Sequence, residues 1–140
     1  MAKPPQIRFT GNTHVVRSYV CAFTNCIHLT EAVIWFGDGT QSASGERTDM
    51  ANAFMNCGEL QHLAFTGKGS PKNLDLSSCK KLTLASIETL ESALMDVSEE
   101  TAGTYEITIS SETAALMPEE LTTVFTVKGW TLNIKEETTE

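Results

Sequence analysis

Cys21, Cys26, Cys57 and Cys79, together with His14, His28 and His62, are the side chains of this 140-residue chain best equipped for chemistry. A zinc site would need tight ligand pairs such as Cys-x-x-Cys, with histidines at related spacing. Here four residues separate Cys21 from Cys26, His28 follows Cys26 by two and His62 follows Cys57 by five, so no Cys/His unit recurs. A nucleophile would need a base and an orienting group, and the sequence has neither a Gly-x-Ser-x-Gly elbow nor a catalytic-cysteine signature. "FGDGTQ" (36–41) offers a single Asp, too few hard oxygen ligands for calcium, and reads as an Asp-Gly turn. "GKGS" (67–70) lacks the Lys-Ser/Thr pair of a phosphate-binding loop. Glu99 and Glu100 adjoin in a polar stretch, where no apolar pocket would raise a carboxyl pKa. The residues therefore point away from an enzyme, with no catalytic residue, no metal ligand and no cofactor expected.

What the cysteines mark instead is a repeat. "CAFTNCIHL" (21–29) and "NAFMNCGEL" (52–60) share Ala-Phe-x-Asn-Cys-x-x-Leu, so that superimposing Cys26 on Cys57 also superimposes Phe23 on Phe54 and Leu29 on Leu60. Beyond the shared Leu, Ala32-x-Ile34 aligns with Leu63-x-Phe65. A third, degraded copy, "LSSCKKL" (76–82), sets Cys79 before Leu82 as Cys57 stands before Leu60, and "IRFTG" (7–11) echoes "LAFTG" (63–67). A period of roughly 20–50 residues is the signature of units too small to bury an apolar face alone, which must stack. Each unit predicts a helix or helical turn, a corner and a short strand. The expected core is Phe23, Asn25, Cys26, Leu29, Phe54, Asn56, Cys57, Leu60, Leu63, Phe65, Cys79 and Leu82. In it the Phe lies on the inner face, the Asn bonds the unpaired backbone of a buried corner and the Cys packs as a small apolar group. The thiols are expected to be reduced and unligated, with Cys21 the most reactive.

The elements that position these residues follow from periodicity and punctuation. Strands are expected near 6–9, 31–35, 62–65, 73–76, 105–109 and 130–134, and helices near 13–23, 48–55, 83–95 and 118–128. Thr83 is an N-cap, and Leu84, Ile87, Leu90 and Leu94 form one apolar face. Pro118, Glu119 and Glu120 suit a helix start, and Lys128 and Gly129 suit its end. Ile7 to Ala32 and Ile107 to Leu132 are equal spans of sequence. Strands joined by helical crossovers pair in parallel. The expected fold is α/β, a short leucine-rich-repeat-like solenoid in which helices or helical turns alternate with strands of one curved, mainly parallel sheet. It forms a single domain over 1–140, with flexible ends at about 1–5 and 135–140.

Ala-Phe-x-Asn-Cys-x-x-Leu-x-x-Leu-x-Phe resembles the BspA-type leucine-rich repeat of surface and phage-associated proteins of gut and oral bacteria. "LAFTGKGSPKNLDLSSCKKLTLASIETLESAL", followed by "KGWTL", is similar to the C-terminal part of such proteins. The resemblance covers roughly 19–134 and is closest over 50–134; the chain departs from it in its few units and in the insertion "GDGTQSASGERTD". The resemblance implies a non-enzymatic structural or protein–protein interaction role. Its settings would be a phage virion, as a decoration, fibre or tail component, or a bacterial surface as an adhesin or carbohydrate-binding repeat module.

Composition agrees with such a role. A 41% hydrophobic and 20% charged chain is ordinary for one globular domain. Residues 1–87 carry eight Lys/Arg against six Asp/Glu, and residues 88–140 carry two against twelve. The acidic total argues against nucleic acid as a partner. No run approaches the length of a membrane helix, and "MAKPPQIRFTG" has no apolar secretory core, so synthesis in a cytoplasm without a signal peptide is expected. That expectation favours the virion over the adhesin. The partner would be protein, either a second copy in a homo-oligomer or a larger particle on which the subunit docks. Trp35, Phe36 and Trp130 are the candidate contact aromatics, since adjacent strand residues such as Trp35 and Phe36 face opposite ways.

Overall fold

The protein is described by a computed structural model covering residues 6–8, 20–38, 47–100 and 104–135. The first sheet contains three parallel strands in sequence order: β1 (Gln6–Arg8), β2 (Glu31–Asp38) and β3 (His62–Lys68). Its register is that of the repeat. Ile7 pairs with Ala32, Ala32 with Leu63, and Ile34 with Phe65. A second sheet holds β4 (Leu74–Leu76), β5 (Glu106–Ser110) and β6 (Thr131–Lys135), again parallel and in sequence order. The chain is thus mixed α/β with two small parallel sheets, where the sequence suggested one curved sheet.

The split has a local cause. Cys79 stands closer in sequence to Cys57 than Cys57 does to Cys26, so the third copy is shorter than the second. After its Leu82 the chain enters a helix, α1 (Leu84–Ala93), where the earlier copies place a strand. Thr83 caps α1 as expected, its hydroxyl accepting from the Ser86 N–H at 3.3 Å. Ile87, Leu90 and Leu94 are buried. The helix also finishes the first sheet. The outward N–H groups of Leu63 and Phe65 would face a fourth strand, and instead they donate to Ser86 Oγ at 3.0 Å and Thr89 Oγ1 at 3.1 Å. Two hydroxyls three residues apart on a helix therefore satisfy two amides two residues apart on a strand edge.

The helices expected near 13–23 and 48–55 are corrected. Residues 20–25 and 51–56 are turns, while 13–19 lie outside the described residues, as do the expected flexible ends apart from Lys135. Left-handed backbone recurs every four residues: Cys21 (φ 55°) and Asn25 (φ 64°) in one copy, Asn52 (φ 56°) and Asn56 (φ 62°) in the next. That alternation breaks the i→i−4 pattern, and Asn tolerates the left-handed region best among non-glycine residues. The freed amides of Cys21, Phe23 and Asn25 donate to the carbonyls of Ala51, Ala53 and Met55 at 2.8–3.0 Å. The two copies are thereby stacked residue for residue.

The last layer is built by α2 (Ser111–Ala114) and α3 (Glu119–Val127), which lead into β6. Gly129 (φ 91°) ends α3, and a Cβ there would sit 2.8 Å from Ser98 N and Val97 C, so the position demands glycine twice over. The Lys128 Nζ reaches the carbonyls of Glu91 and Leu94 at the end of α1 and pairs with the Glu91 carboxylate at 3.0 Å. It places a cation at the negative helix end and ties α3 to α1.

The stacked copies generate the first test. Phe23 and Phe54 are buried with ring centroids 5.3 Å apart and planes 16° from parallel. Phe54→Ala is expected to cost about 3–5 kcal/mol in denaturant unfolding. Phe23→Ala is expected to behave alike. A ring whose removal leaves the unfolding midpoint in place would break the equivalence of the two copies.

Candidate functional site

Most of the residues singled out by the repeat are core. Phe23, Leu29, Phe54, Cys57, Leu60, Leu63, Phe65, Cys79 and Leu82 are buried, as expected. Asn25 and Asn56 are not: both are exposed, and they serve as left-handed turn residues whose side chains bond one another, Asn56 Nδ2 donating to Asn25 Oδ1 at 2.7 Å. Cys26 is half-buried.

The two buried thiols follow one rule. Cys57 Sγ donates to Phe23 O at 2.9 Å, and Cys79 Sγ reaches Phe54 O at 3.8 Å. Each cysteine thus addresses the carbonyl at the Phe position of the preceding copy. Burial raises the pKa of Cys57. It pushes Cys79 up to about 12, with the nearby Cys57 and Asp75 adding to the rise. Such thiols stay protonated donors, the opposite of what nucleophilic or metal-binding cysteines need. All four cysteines are free, and among the described residues no three His, Cys, Asp or Glu side chains group as metal ligands.

Two of the three candidate contact aromatics are corrected. Phe36 is fully buried against Phe65, with centroids 4.9 Å apart. Trp130 is buried edge-on to Tyr105 at 5.5 Å, its Nε1 donating to Met95 O at 2.9 Å. Arg47 lies over both rings, 4.3 Å from the Tyr105 centroid and 5.9 Å from that of Trp130. Its guanidinium donates to the carbonyls of Ser70, Pro71 and Thr104 at 2.8–3.2 Å. Burial lowers its pKa, yet an arginine so bonded remains charged. Trp35 is half-buried on β2 and keeps a partly exposed surface.

Two surface features stand out, of which the first escaped the sequence reading. One is a groove of about 620 Å³ over the outer face of the second sheet. The register aligns Asp75, Thr108 and Asn133 across its floor, with Lys72, Asn73 and Glu106 beside them. The signal was present in three triplets, Leu74-Asp75-Leu76, Ile107-Thr108-Ile109 and Leu132-Asn133-Ile134, each with a polar residue between two apolar ones. The other feature is the open end of that sheet. Leu76, Ile109 and Ile134 form one inward row; the first two are fully buried, but Ile134 is 54% exposed. No strand among the described residues pairs with the outer edge of β6. The helix packed against β6, α3, also exposes Val124 and Val127. This core row thus begins buried at Leu76 and ends exposed at Ile134.

No family model, curated protein or solved structure matches the chain.

Thiol chemistry tests the buried-cysteine geometry in two ways. Titration of the native protein should modify Cys21 fast and Cys26 more slowly, with Cys57 and Cys79 released only by denaturant. The folded pKa of Cys79 is raised, so its stabilising contribution is complete below the unfolded thiol value. That contribution fades as pH rises from about 9 towards 12, by at most about 4 kcal/mol. Cys79→Ala should accordingly show a flatter decline of unfolding free energy over that alkaline range than the native chain. Parallel curves would remove the raised pKa.

Proposed function

We propose that this chain is a non-catalytic structural or protein-interaction module, a short leucine-rich-repeat-like solenoid that works docked through its C-terminal end. The observation that carries this reading is Ile134. It belongs to the same inward row as two fully buried residues, yet stands half in solvent beside a strand edge that no strand among the described residues pairs with. Unpaired backbone donors and acceptors next to exposed apolar side chains form a template for another chain. The protonated, hydrogen-bonded thiols of Cys57 and Cys79 and the carbonyl-bound Arg47 support a framework role for the groups that would otherwise suggest catalysis.

The repeat resemblance supplies the setting: a virion-associated component of a phage, carried as a decoration, fibre or tail part. One observation favours a second reading, a surface or carbohydrate-binding repeat. The groove floor of Asp75, Thr108 and Asn133 is a ladder of short polar groups suited to hydrogen-bonding a hydroxyl-rich ligand.

Quantitative proteomics of purified particles against host-cell fractions separates the settings. The chain should be enriched in particles, and Ile134→Lys should deplete it there at least tenfold while its melting temperature holds. Enrichment on intact cells, with loss through Asp75→Ala rather than Ile134→Lys, would replace the virion reading with the surface reading.

A further inference from the structure

The docking reading leaves the occupant of the β6 edge open, and the strand's own sequence points to one. We infer that β6 pairs with β6 of a second copy, antiparallel, on a two-fold axis through Asn133. This rests on the reading of the C-terminal end as a docking surface and adds its partner and register.

The direction of the backbone groups comes first. Thr131 donates its N–H to Tyr105 O at 2.8 Å, so at Thr131 the strand faces β5. Backbone polar groups alternate sides along a strand, so Asn133 and Lys135 also face β5, while Leu132 and Ile134 present N–H and C=O to the outer edge, which no strand among the described residues covers. In an antiparallel pair centred on Asn133, Leu132 of one copy lies opposite Ile134 of the other. Each such pair exchanges two hydrogen bonds. All four outward groups of Leu132 and Ile134 are then satisfied, on both copies.

The side chains agree with the backbone. Leu132 and Ile134 face the core side, where they follow Ile107 and Ile109 in register. The pairing therefore sets apolar against apolar and continues both inward rows into the second copy. The exposed flank of Ile134 is covered by Leu132 of the second copy. Thr131 meets Lys135, so no like charges face one another. On the outer face, Asn133 meets Asn133, and the groove floor of Asp75, Thr108 and Asn133 becomes a ladder of six.

Neighbouring registers fail on specific residues. An axis through Leu132 would need the Trp130 N–H, which already donates to Phe125 O at 2.9 Å. An axis through Ile134 would pair Ile134 with itself and leave Leu132 opposite no residue of β6 (Thr131–Lys135). The two-fold arrangement is also self-limiting, since it closes with two copies and uses the edge up.

Directed cross-linking tests both partner and register. The axis residue lies in a non-hydrogen-bonded pair, where Cα atoms approach to about 4.5 Å, within disulfide range. In a Cys21→Ser/Cys26→Ser background, Asn133→Cys should give a disulfide-linked dimer under mild oxidation. Thr131→Cys alone and Lys135→Cys alone should give little, and an equimolar mixture of those two should cross-link. Light scattering coupled to gel filtration should show twice the chain mass for the native protein and the single mass for Ile134→Lys, with the two proteins' far-UV spectra superimposable. A native monomer at every concentration would overturn the second-copy proposal. If that monomer still partitions with particles and Ile134→Lys does not, the docking reading stands without it. A dimer that persists in Ile134→Lys, or that cross-links through Thr131→Cys alone, would overturn the edge or its register.

Discussion

The structure depends on the registration of one repeat copy on the next. Neither copy encloses its own apolar face, so the Phe23 and Phe54 rings bury each other. Three turn amides cross between copies, and the Cys57 thiol bonds Phe23 O. Burying one such aromatic contributes roughly 1.5–3 kcal/mol. Their larger consequence is geometric. With Asn25 locked beside Asn56 at the corner, the next strands can pair only with Ala32 beside Leu63 and Ile34 beside Phe65. A slip of one residue would send both apolar pairs to the solvent face. The corner thus sets the sheet, and the buried cysteine matters as a small donor that fits where a larger polar side chain would not.

A stack built this way must end somewhere, and its two sheets end differently. The first is finished by α1, whose Ser86 and Thr89 hydroxyls take the amides of β3 while its apolar face closes the core. Lys128 then secures the far end of α1 through two carbonyls and Glu91. The second sheet receives no such finish at β6 among the described residues. Both edges consist of the same backbone groups, so the difference lies in what the sequence supplies next to them. A chain that closes one edge with a helix, two hydroxyls and a half-buried ion pair has the means to close an edge.

How far this was legible depends on which interactions are local in sequence. The strand registers were readable because a repeat equates positions: aligning Cys26 with Cys57 aligned Ala32 with Leu63, and the equal spans Ile7–Ala32 and Ile107–Leu132 are true pairings. Thr83, Pro118 and Gly129 marked helix ends because capping is local chemistry. The turns at 20–25 and 51–56 were misread as helical because their amides are satisfied by the other copy, which no local pattern reveals. The aromatics were misjudged for a similar reason. Strand alternation gives Phe36 and Trp35 opposite faces, but burial is decided elsewhere: Phe65 covers Phe36, and Arg47 lies over Trp130, each distant in sequence from the ring it covers. The groove was missed because Asp75, Thr108 and Asn133 are far apart until the second sheet aligns them.

Charge determines what an open edge of this kind tolerates. Twelve of the chain's eighteen acidic residues fall after residue 87, including Glu106, Glu119 and Glu120, which are exposed on or beside the last layer. A surface of one sign discourages indiscriminate stacking of copies. Lys135 adds a finer filter. A charged residue on an edge strand penalises any pairing that sets it against apolar side chains or against its own copy. In-register parallel pairing would bring Lys135 of the two chains together. The arrangement centred on Asn133 alone sets Lys135 against Thr131, a short polar side chain without charge. In the proposed pairing, burying Ile134 would favour association in general, and the charges beside it would select among the associations the backbone allows.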